Sequence, residues 1–397
     1  MGVPKQPKID LIYIDSGGGH RAAARALMES IRSLALDWDV RMVSIQELLD
    51  PVDFVRKLTG IPFQDLYNIM LRRGWTAGSA QLTRLSHLLI RLSHDRQVRS
   101  LECYWPRRRP DMVVSLIPHF NRALKQSLER VCPGVPFVTV LTDIADYPPH
   151  FWIERQEQYV VCGSEHAVHQ ALRMGMPHDR VACTSGMILH PDFERPIQPD
   201  RRAERLRLGL RPDWPVGLVL FGGEGSVEMV EIARALNRPE AGVQLILLCG
   251  RNEEVRRKLS SLTRHIPMHI QGFTNRVAFY MELADFFIGK PGPGSISEAV
   301  AKRLPVIVRR DYRTLAHERY NCDWIVEQDL GIVIGSYRRL PETIRELMRP
   351  ERYQRMRRNL ARIRNRAVYE IPPLLERIVL SRLPGAPAEP DFQITLQ

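Results

Sequence analysis

Short apolar runs alternate with helical segments along the first half of this chain. Ile9 to Asp15 is an apolar run, a glycine turn follows it, and Ala22 to Leu34 has the alanine-rich composition of a helix. A strand, a glycine turn and a helix in this order are typical of the opening of a Rossmann-like unit. The pattern predicts further buried strands at Val40 to Ile45, Met112 to Leu116, Phe137 to Leu141, Tyr159 to Cys162 and Val181 to Thr184.

A proline- and arginine-rich stretch from His190 to Asp213 interrupts this series and predicts a linker followed by a short helix. A second series of strands with glycine at their exits then begins, in the segments VGLVLFGGEGS, QLILLCG, HIQGF, FFIGK and VIVRR. Strands that alternate with helices twice over predict two parallel α/β sheets. We therefore predict a domain boundary near residue 197.

Two further segments are predicted to be helical. Gln81 to Leu92 places its leucines on one helical face, which predicts an amphipathic helix. Residues 351 to 383 predict a basic C-terminal helix pair that Pro372 and Pro373 interrupt, because proline removes a helical N–H group. The proline-rich end from Pro384 predicts a frayed tail.

Length and cysteine usage limit the class of protein. A chain of 397 residues exceeds the size of one hydrophobic core, so two domains of about 150 to 200 residues are expected. The sequence has neither a membrane-spanning apolar run nor the pattern of a signal peptide, which predicts a cytoplasmic location. The six cysteines are widely spaced without a C-x-x-C pair, so neither a zinc site nor a disulfide framework is expected.

The net charge of +12 is concentrated in two segments. Val52 to Pro110 has 11 Arg and Lys against 4 Asp and Glu, and Arg349 to Arg366 has 8 against 1. Apolar residues inside the first segment favour an anionic membrane surface, on the inner face of the cell membrane, over nucleic acid. A solvated arginine-rich surface is the alternative. The residues predicted to contact the membrane are Phe54, Phe63, Arg72, Arg73 and Trp75.

The first glycine-rich loop, Ser16 to Arg21, lies between a strand and a helix. Backbone N–H groups at such a helix start attract a phosphate or a developing oxyanion, which gives Gly18 and Gly19 a candidate role. The positive end of the helix favours a neutral imidazole, so His20 is a candidate general base for a hydroxyl group. A polar residue that caps the helix is the alternative.

The second loop, Lys290 to Ala299, follows the strand FFIGK and opens a helix. We expect the N–H groups around Gly294 and Ser295 to hold a diphosphate, and Glu298 to accept two hydrogen bonds from a ribose diol. A capping box that begins at Ser295 is the alternative. The third loop, Gly222 to Ser226, ends the first strand of the second domain and is expected to close over the same diphosphate.

Two other enzyme classes fit less well. A dinucleotide-dependent dehydrogenase is disfavoured because Ala22 stands where the last glycine of G-x-G-x-x-G belongs. Asp37-Trp38-Asp39 is formally the D-x-D motif of a metal-dependent transferase, but it precedes a strand and is interpreted as a solvated turn. We expect no metal and no other cofactor.

Several motifs follow one another in a specific order: IDSGGGHRAAARAL, FVTVLTDIADYPPHFW, GMILHPDF, LFGGEGS, LCGRN, IQGF, GKPGPGSISEA and LAHERYN. In this order they resemble the monogalactosyldiacylglycerol synthase-like group of glycosyltransferase family 28, which also contains diacylglycerol glucosyltransferases. The resemblance implies the α/β GT-B fold, with two Rossmann-like domains, parallel sheets and a C-terminal helix that crosses back to the N-terminal domain. The implied domains are an acceptor- and membrane-binding domain at 1–197, a UDP-sugar-binding domain at 198–365, and a crossover helix and tail at 366–397.

The implied function is the inverting transfer of a hexose, galactose or glucose, from a UDP-sugar to a lipid hydroxyl such as that of diacylglycerol. A transferase with a soluble or another lipid acceptor, a UDP-sugar epimerase of the same fold, and an idle UDP-sugar-binding regulator are the alternatives. The sequence departs from the family pattern at His317 and at Pro148-Pro149, where sugar and acceptor would be distinguished. The hexose and the acceptor are therefore left open.

The resemblance also assigns residues. His20 is the implied general base, Glu298 the ribose ligand and Phe273 a neighbour of the uracil. Glu318 and Asn321 are implied to lie near the donor sugar. The remaining implied residues are Asp143 as a second catalytic residue and Gly223, Gly225, Arg251, Gly292, Gly294 and Ser295 as donor-binding residues.

Overall fold

The computed structural model describes residues 6–15, 18–49, 90–147, 151–195 and 199–381. These residues form two compact units. The first unit contains the described residues up to Pro191 and those from Asn365 onward, and the second unit is Asp192–Arg364. The sequence predicted the two boundaries after residues 197 and 365.

The first unit is built on a parallel sheet with the strand order β2-β1-β3-β4-β5-β6. All residues of β3, β4 and β5 are buried, as expected for a parallel sheet that helices cover on both faces. Each strand predicted for this region is present with slightly shifted ends. The strands are β1 Lys8–Tyr13, β2 Asp39–Ser44, β3 Met112–Ser115, β4 Phe137–Val140, β5 Tyr159–Cys162 and β6 Val181–Cys183.

Helices of the first unit connect these parallel strands. In the first of them the buried residues Ala23, Ala24, Leu27 and Ile31 recur at helical spacing and join a core cluster with β1 and β3. The helices are α1 Gly19–Ser33, α2 Ile45–Leu49, α3 His94–Glu102, α4 Trp105–Arg108, α5 Asn121–Val131 and α6 Glu165–Arg173.

A buried carboxylate in β1 links this strand to the residues around α4. Asp10 is fully buried, accepts a hydrogen bond from the Tyr104 hydroxyl at 2.7 Å and pairs with Arg108 Nε at 2.9 Å. The Arg108 guanidinium also pairs with Asp39 at 2.6 Å. Asp39, the second aspartate of the D-x-D tripeptide, is therefore engaged in an ion pair at the start of β2.

The second unit has a parallel sheet with the order β12-β11-β10-β7-β8-β9. The first five of its strands along the chain were predicted from their apolar runs, and β12 was not. The strands are β7 Val216–Leu220, β8 Gln244–Leu248, β9 Met268–Gln271, β10 Phe286–Gly289, β11 Val306–Arg309 and β12 Gly331–Ile334.

The helices of this unit begin with the short one that was predicted after the linker. Asp200 caps it by accepting hydrogen bonds from the N–H groups of Arg202 and Ala203, both at 3.0 Å. The helices are α7 Arg201–Arg207, α8 Glu228–Leu236, α9 Glu253–Ser260, α10 Val277–Leu283, α11 Pro293–Ala301, α12 Arg319–Glu327, α13 Leu340–Leu347 and α14 Pro350–Arg362.

The chain then returns to the first unit with α15, Ala367–Leu380, which packs on α1. The predicted interruption at Pro372 and Pro373 is wrong, because both prolines lie inside α15 and Pro372 is buried in it. The break between α14 and α15 comes earlier, at Asn365, whose side-chain amide donates a hydrogen bond to the Met187 carbonyl at 2.9 Å. Apolar packing of α15 compensates the helix for the N–H groups that the two prolines lack.

Candidate functional site

In the first unit, His20 lies in the first turn of α1. Gly18 is the residue that caps this helix, with φ 84° and ψ −17°, a left-handed conformation that glycine adopts without steric cost. Gly19 is the first helical residue, and a methyl group added to it would meet nothing within 4 Å. His20 is therefore not the capping residue, and the alternative interpretation of its side chain does not hold.

Two contacts fix the orientation of the His20 ring. Its Nδ1 atom lies 3.0 Å from the Leu116 carbonyl oxygen and 2.8 Å from Thr142 Oγ1. A carbonyl oxygen only accepts hydrogen bonds, so Nδ1 carries the proton and Nε2 has the lone pair in the neutral ring. Nε2 is thus the atom that can take a proton from a hydroxyl group.

The segment after β4 supplies the rest of this site. Trp152 is buried and its ring centroid lies 5.8 Å from that of His20. Its indole N–H donates a hydrogen bond to Asp143 Oδ2 at 2.7 Å, and Asp143 is also buried. Thr142 and Trp152 therefore link the predicted residues His20 and Asp143. The carboxyl ends of β1, β3 and β4 meet at one edge of the sheet, which explains why these distant segments converge.

In the second unit, the loops that follow β7 and β8 interlock. The Arg251 N–H donates to the Gly223 carbonyl at 2.9 Å. Gly225 has φ 62°, and a side chain there would overlap the Cys249 carbonyl. The Arg251 guanidinium lies 4.2 Å from the centroid of the Phe273 ring, which is 53% exposed. The structure thus brings Gly223, Gly225, Arg251 and Phe273 together.

The N-terminus of α11 is an open array of N–H groups. Gly292 is the capping residue, no side chain caps the helix, and the N–H of Ile296 makes the first bond of the turn, to the Gly292 carbonyl at 3.1 Å. The N–H groups of Gly294 and Ser295 precede that bond and have no acceptor within the helix. A methyl group added to Gly294 would meet nothing within 4 Å, so there is room for an anion. The capping box at Ser295 is not formed, because Ser295 lies inside the helix.

Glu298 lies one turn further along α11. Burial raises the pKa of its carboxyl group from 4.5 to about 8. Within the described ranges, no side chain forms a hydrogen bond or an ion pair with this carboxyl group. Glu298 therefore stays protonated near neutral pH, and a ligand that donates hydrogen bonds would favour its ionised form.

Glu318 and Asn321 are buried beside the loop that leads into α11. Glu318 Oε1 pairs with Lys290 Nζ at 2.7 Å, and the Asn321 amide donates to the Pro291 carbonyl at 2.7 Å. Asn321 Oδ1 is buried and has no partner in the part of the chain that the structure describes. The predicted residues Gly292, Glu318 and Asn321 are thus brought together.

Thr142 and Lys290 are among the residues in these contacts to which sequence reasoning gave no role. Both lie in motifs that had been singled out, at the exit of β4 and of β10, where residues of parallel strands commonly reach a ligand. Their position at strand exits is the signal that would have identified them.

The predicted membrane residues Phe54, Phe63, Arg72, Arg73 and Trp75 lie outside the described residues, as does most of the predicted helix from Gln81 to Leu92. No helix in the described ranges has the length and apolar character needed to cross a bilayer. The same residues contain no cluster of three His, Cys, Asp or Glu side chains placed to hold a metal ion.

Comparison with known proteins identifies similar sequences. Residues 218–370 match the family model for the glycosyltransferase family 28 C-terminal domain. The chain is 28% identical over 405 residues to the chloroplastic monogalactosyldiacylglycerol synthase of Spinacia oleracea, covering 96% of this chain and 74% of that protein. It is 30% identical over 348 residues to the probable chloroplastic monogalactosyldiacylglycerol synthase 2 of Oryza sativa subsp. japonica, covering 81% of this chain and 69% of that protein.

Among solved structures, the chain is similar to the UDP-GlcNAc 2-epimerase from Neisseria meningitidis bound to UDP-GlcNAc. The TM-score is 0.60 at 16% sequence identity, and the match covers 94% of this chain and 100% of that chain. A likeness at this identity shows the fold alone. The fold is the α/β GT-B fold that the resemblance implied, and each of its two parallel sheets has six strands.

The spinach and rice relatives are both named as chloroplastic proteins. This finding contradicts the predicted cytoplasmic location at the inner face of the cell membrane, and that prediction is wrong. Its basis was the lack of a spanning run and of a signal peptide pattern, and the absence of both features does not distinguish a cytoplasmic protein from a chloroplast protein.

Proposed function

Because this chain belongs to the monogalactosyldiacylglycerol synthase-like hexosyltransferases of glycosyltransferase family 28, we propose that it transfers galactose from UDP-galactose to the hydroxyl group of diacylglycerol, with inversion at the anomeric carbon. The observation that carries the proposal is its similarity to the spinach synthase, which extends over 96% of this chain and therefore includes the residues of both units. The two sites described above contain groups suited to the two halves of this reaction.

In the proposed reaction, His20 acts on the acceptor. The Leu116 carbonyl holds the proton on Nδ1, so Nε2 is the ring nitrogen that takes the proton of the acceptor hydroxyl. The oxygen then forms a bond to the anomeric carbon while the bond from that carbon to the UDP oxygen breaks, and UDP leaves with the electron pair from the opposite face. A general base of this kind typically contributes about 100- to 10,000-fold to the rate.

We propose that groups of the second unit stabilise the negative charge that develops on the leaving diphosphate. The N–H groups of Gly294 and Ser295, together with the positive end of α11, offer fixed donors to it. One preorganised donor of this kind contributes about 3 kcal/mol to transition-state stabilisation in other enzymes. We propose that these groups and the guanidinium of Arg251 stabilise the leaving group without a metal ion.

The acceptor is a lipid in this proposal, so the enzyme must reach a membrane surface. Arginines of α14 support an anionic surface as partner, because Arg358 and Arg362 are exposed and form no ion pair with the described residues. Another arginine of α14, Arg355, is instead engaged in an ion pair within the protein, with Asp329 at 2.7 Å. We propose that the exposed arginines and the segment from Val52 to Pro110 contact anionic headgroups.

The test is a transfer assay with a panel of radiolabelled UDP-sugars and diacylglycerol in mixed vesicles, followed by thin-layer separation and assignment of the anomer by NMR. We expect a galactolipid with a β linkage from UDP-galactose. A glucolipid product would show that glucose, not galactose, is the transferred sugar. Transfer only to soluble acceptors would show that diacylglycerol is not the acceptor. Interconversion of UDP-sugars without any acceptor would instead identify an epimerase.

A further inference from the structure

Lys290 follows β10 directly and forms an ion pair that the proposed mechanism does not use. Its ammonium group lies 2.7 Å from Glu318 Oε1, and the two residues are separated by 28 positions in the sequence. The Glu318 side chain is only 4% exposed, whereas that of Lys290 is 28% exposed. A buried carboxylate without a cation beside it is strongly destabilising, so this contact holds the Glu318 side chain in its place.

The pair lies against the start of α11. A methyl group added to Gly292, the capping residue, would stand 3.1 Å from Lys290 Cε and 3.5 Å from Glu318 Oε1. The neighbouring Pro291 accepts the hydrogen bond from Asn321. The lack of a side chain at Gly292 therefore allows the Lys290–Glu318 pair to pack closely against the start of this helix.

The groups near the start of α11 have opposite hydrogen-bonding character. The helix start offers N–H donors, which suit a phosphate. Glu318 Oε2 and Asn321 Oδ1 are acceptors: the contact with Lys290 uses the other oxygen of Glu318, and Asn321 Oδ1 has no partner among the described residues. Acceptors of this kind repel phosphate oxygens and require a ligand with donors, and a sugar attached to the diphosphate presents hydroxyl groups.

We propose that Lys290 is a positioning residue for the donor sugar: its ammonium group holds Glu318 so that Oε2, together with Asn321 Oδ1, accepts hydrogen bonds from hydroxyl groups of the hexose. This inference rests on the proposed function, because it takes the UDP-sugar as the ligand. Lys290 acts through Glu318 and not on the diphosphate. It therefore contributes to the binding of UDP-galactose and contributes little to the binding of UDP.

The experiment compares the affinities of UDP and UDP-galactose, measured by calorimetry, for Lys290→Met, Lys290→Arg, Glu318→Gln and the double variant Lys290→Met/Glu318→Gln. We expect Lys290→Met to weaken UDP-galactose binding by about 10- to 100-fold, the range of a hydrogen bond to a charged group, and UDP binding by less than about 3-fold. Lys290→Arg keeps the charge and should restore most of the loss. Lys258→Met, which removes an exposed lysine paired with Glu254, is the matched control and should change neither affinity.

The double variant gives the decisive comparison even if Lys290→Met fails to fold, because it leaves no unpaired buried charge. If Lys290 acts only through Glu318, the double variant binds both ligands as Glu318→Gln alone does. Additive losses in the double variant, or equal losses for UDP and UDP-galactose in Lys290→Met, would overturn the inference. A wild-type protein that binds no UDP-sugar would refute the proposed function instead, and transfer of glucose would only change the sugar used in the comparison.

Discussion

Replacement of Glu298 by Gln is expected to stabilise the ligand-free protein and to weaken its binding of UDP. Burial raises the pKa of this carboxyl group from 4.5 to about 8. Below about pH 4.5 the carboxyl group is protonated in both the native and the unfolded chain, and its ionisation does not affect stability. As the pH rises from about 4.5 to about 8, the unfolded chain ionises first, so the free energy of unfolding falls, and it stays at the lower value above about pH 8.

The pKa difference sets the size of the effect. It corresponds to at most about 5 kcal/mol of lost stability at pH 8. Glu298 is partly exposed, so water solvates part of the charge, and about 2 kcal/mol is a realistic expectation. In a unit of this size, 2 kcal/mol raises the melting temperature by about 4–8 °C. Glutamine has no charge, so the rise in melting temperature of the variant over the wild type should be absent near pH 4.5 and complete near pH 8.

Binding should respond in the opposite direction. Two ribose hydroxyl groups that donate to an ionised carboxylate favour that form, so UDP binding releases a proton and strengthens as the pH rises toward about 8. Glutamine loses the charge-assisted part of these bonds, which weakens UDP binding by about 10- to 100-fold. It should also remove the rise in affinity between about pH 6.5 and about 8.

The assays are thermal unfolding of the ligand-free protein at several pH values, and calorimetry with UDP in buffers of different ionisation enthalpy. Glu240→Gln changes an exposed glutamate of the same unit and should behave as the wild type in both assays. Equal melting temperatures for Glu298→Gln and the wild type across the pH range would refute the effect of burial. Unchanged UDP affinity in Glu298→Gln would remove this residue from the nucleotide site.

Three further predictions concern other parts of the chain. His20→Ala should lower kcat by about 100- to 10,000-fold while UDP affinity stays the same, since the base acts on the acceptor, and a matching loss of UDP affinity would exclude that role. Arg108→Ala leaves a buried carboxylate in β1 without its cation and should lower the free energy of unfolding by about 3–5 kcal/mol, measured by denaturant titration; a loss below about 1 kcal/mol would contradict this. In co-sedimentation, the triple Ala variant of Arg72, Arg73 and Trp75 should lose binding to anionic vesicles, whereas full binding would exclude this patch.

Eleven of the twelve strands in the described residues were predictable, because most of them are short apolar runs with a turn residue at the end, a property of local sequence. β12 was missed although Ile332-Val333-Ile334 is an apolar run of the same kind as those of β10 and β11. Its place in the sheet is set by pairing with β11. The break before α15 was misplaced for a similar reason, since the contact of Asn365 with Met187 decides it and the proline rule considers only the helix itself.

In the candidate site, too, residues with a local sequence signal were predicted and contacts between distant segments were not. Glycine loops at strand exits identified Gly18, Gly292 and their neighbours from the sequence alone. The pairing of Lys290 with Glu318, 28 residues away, follows from the adjacency of two loops at the edge of the sheet, and no local pattern encodes it. The raised pKa of Glu298 likewise depends on the surroundings that fold around α11 and not on its neighbours in sequence.

The return of α15 to the first unit determines the order in which the two units can mature during synthesis. The core cluster around α1 needs apolar side chains that the ribosome adds only after residue 366, namely those of Ala367, Val368, Ile371, Leu374, Leu375 and Ile378. Residues 192–364 are complete before any of these emerge, so the second unit is free to fold first. The nascent first unit meanwhile exposes the apolar side of α1 until the ribosome has added the residues of α15.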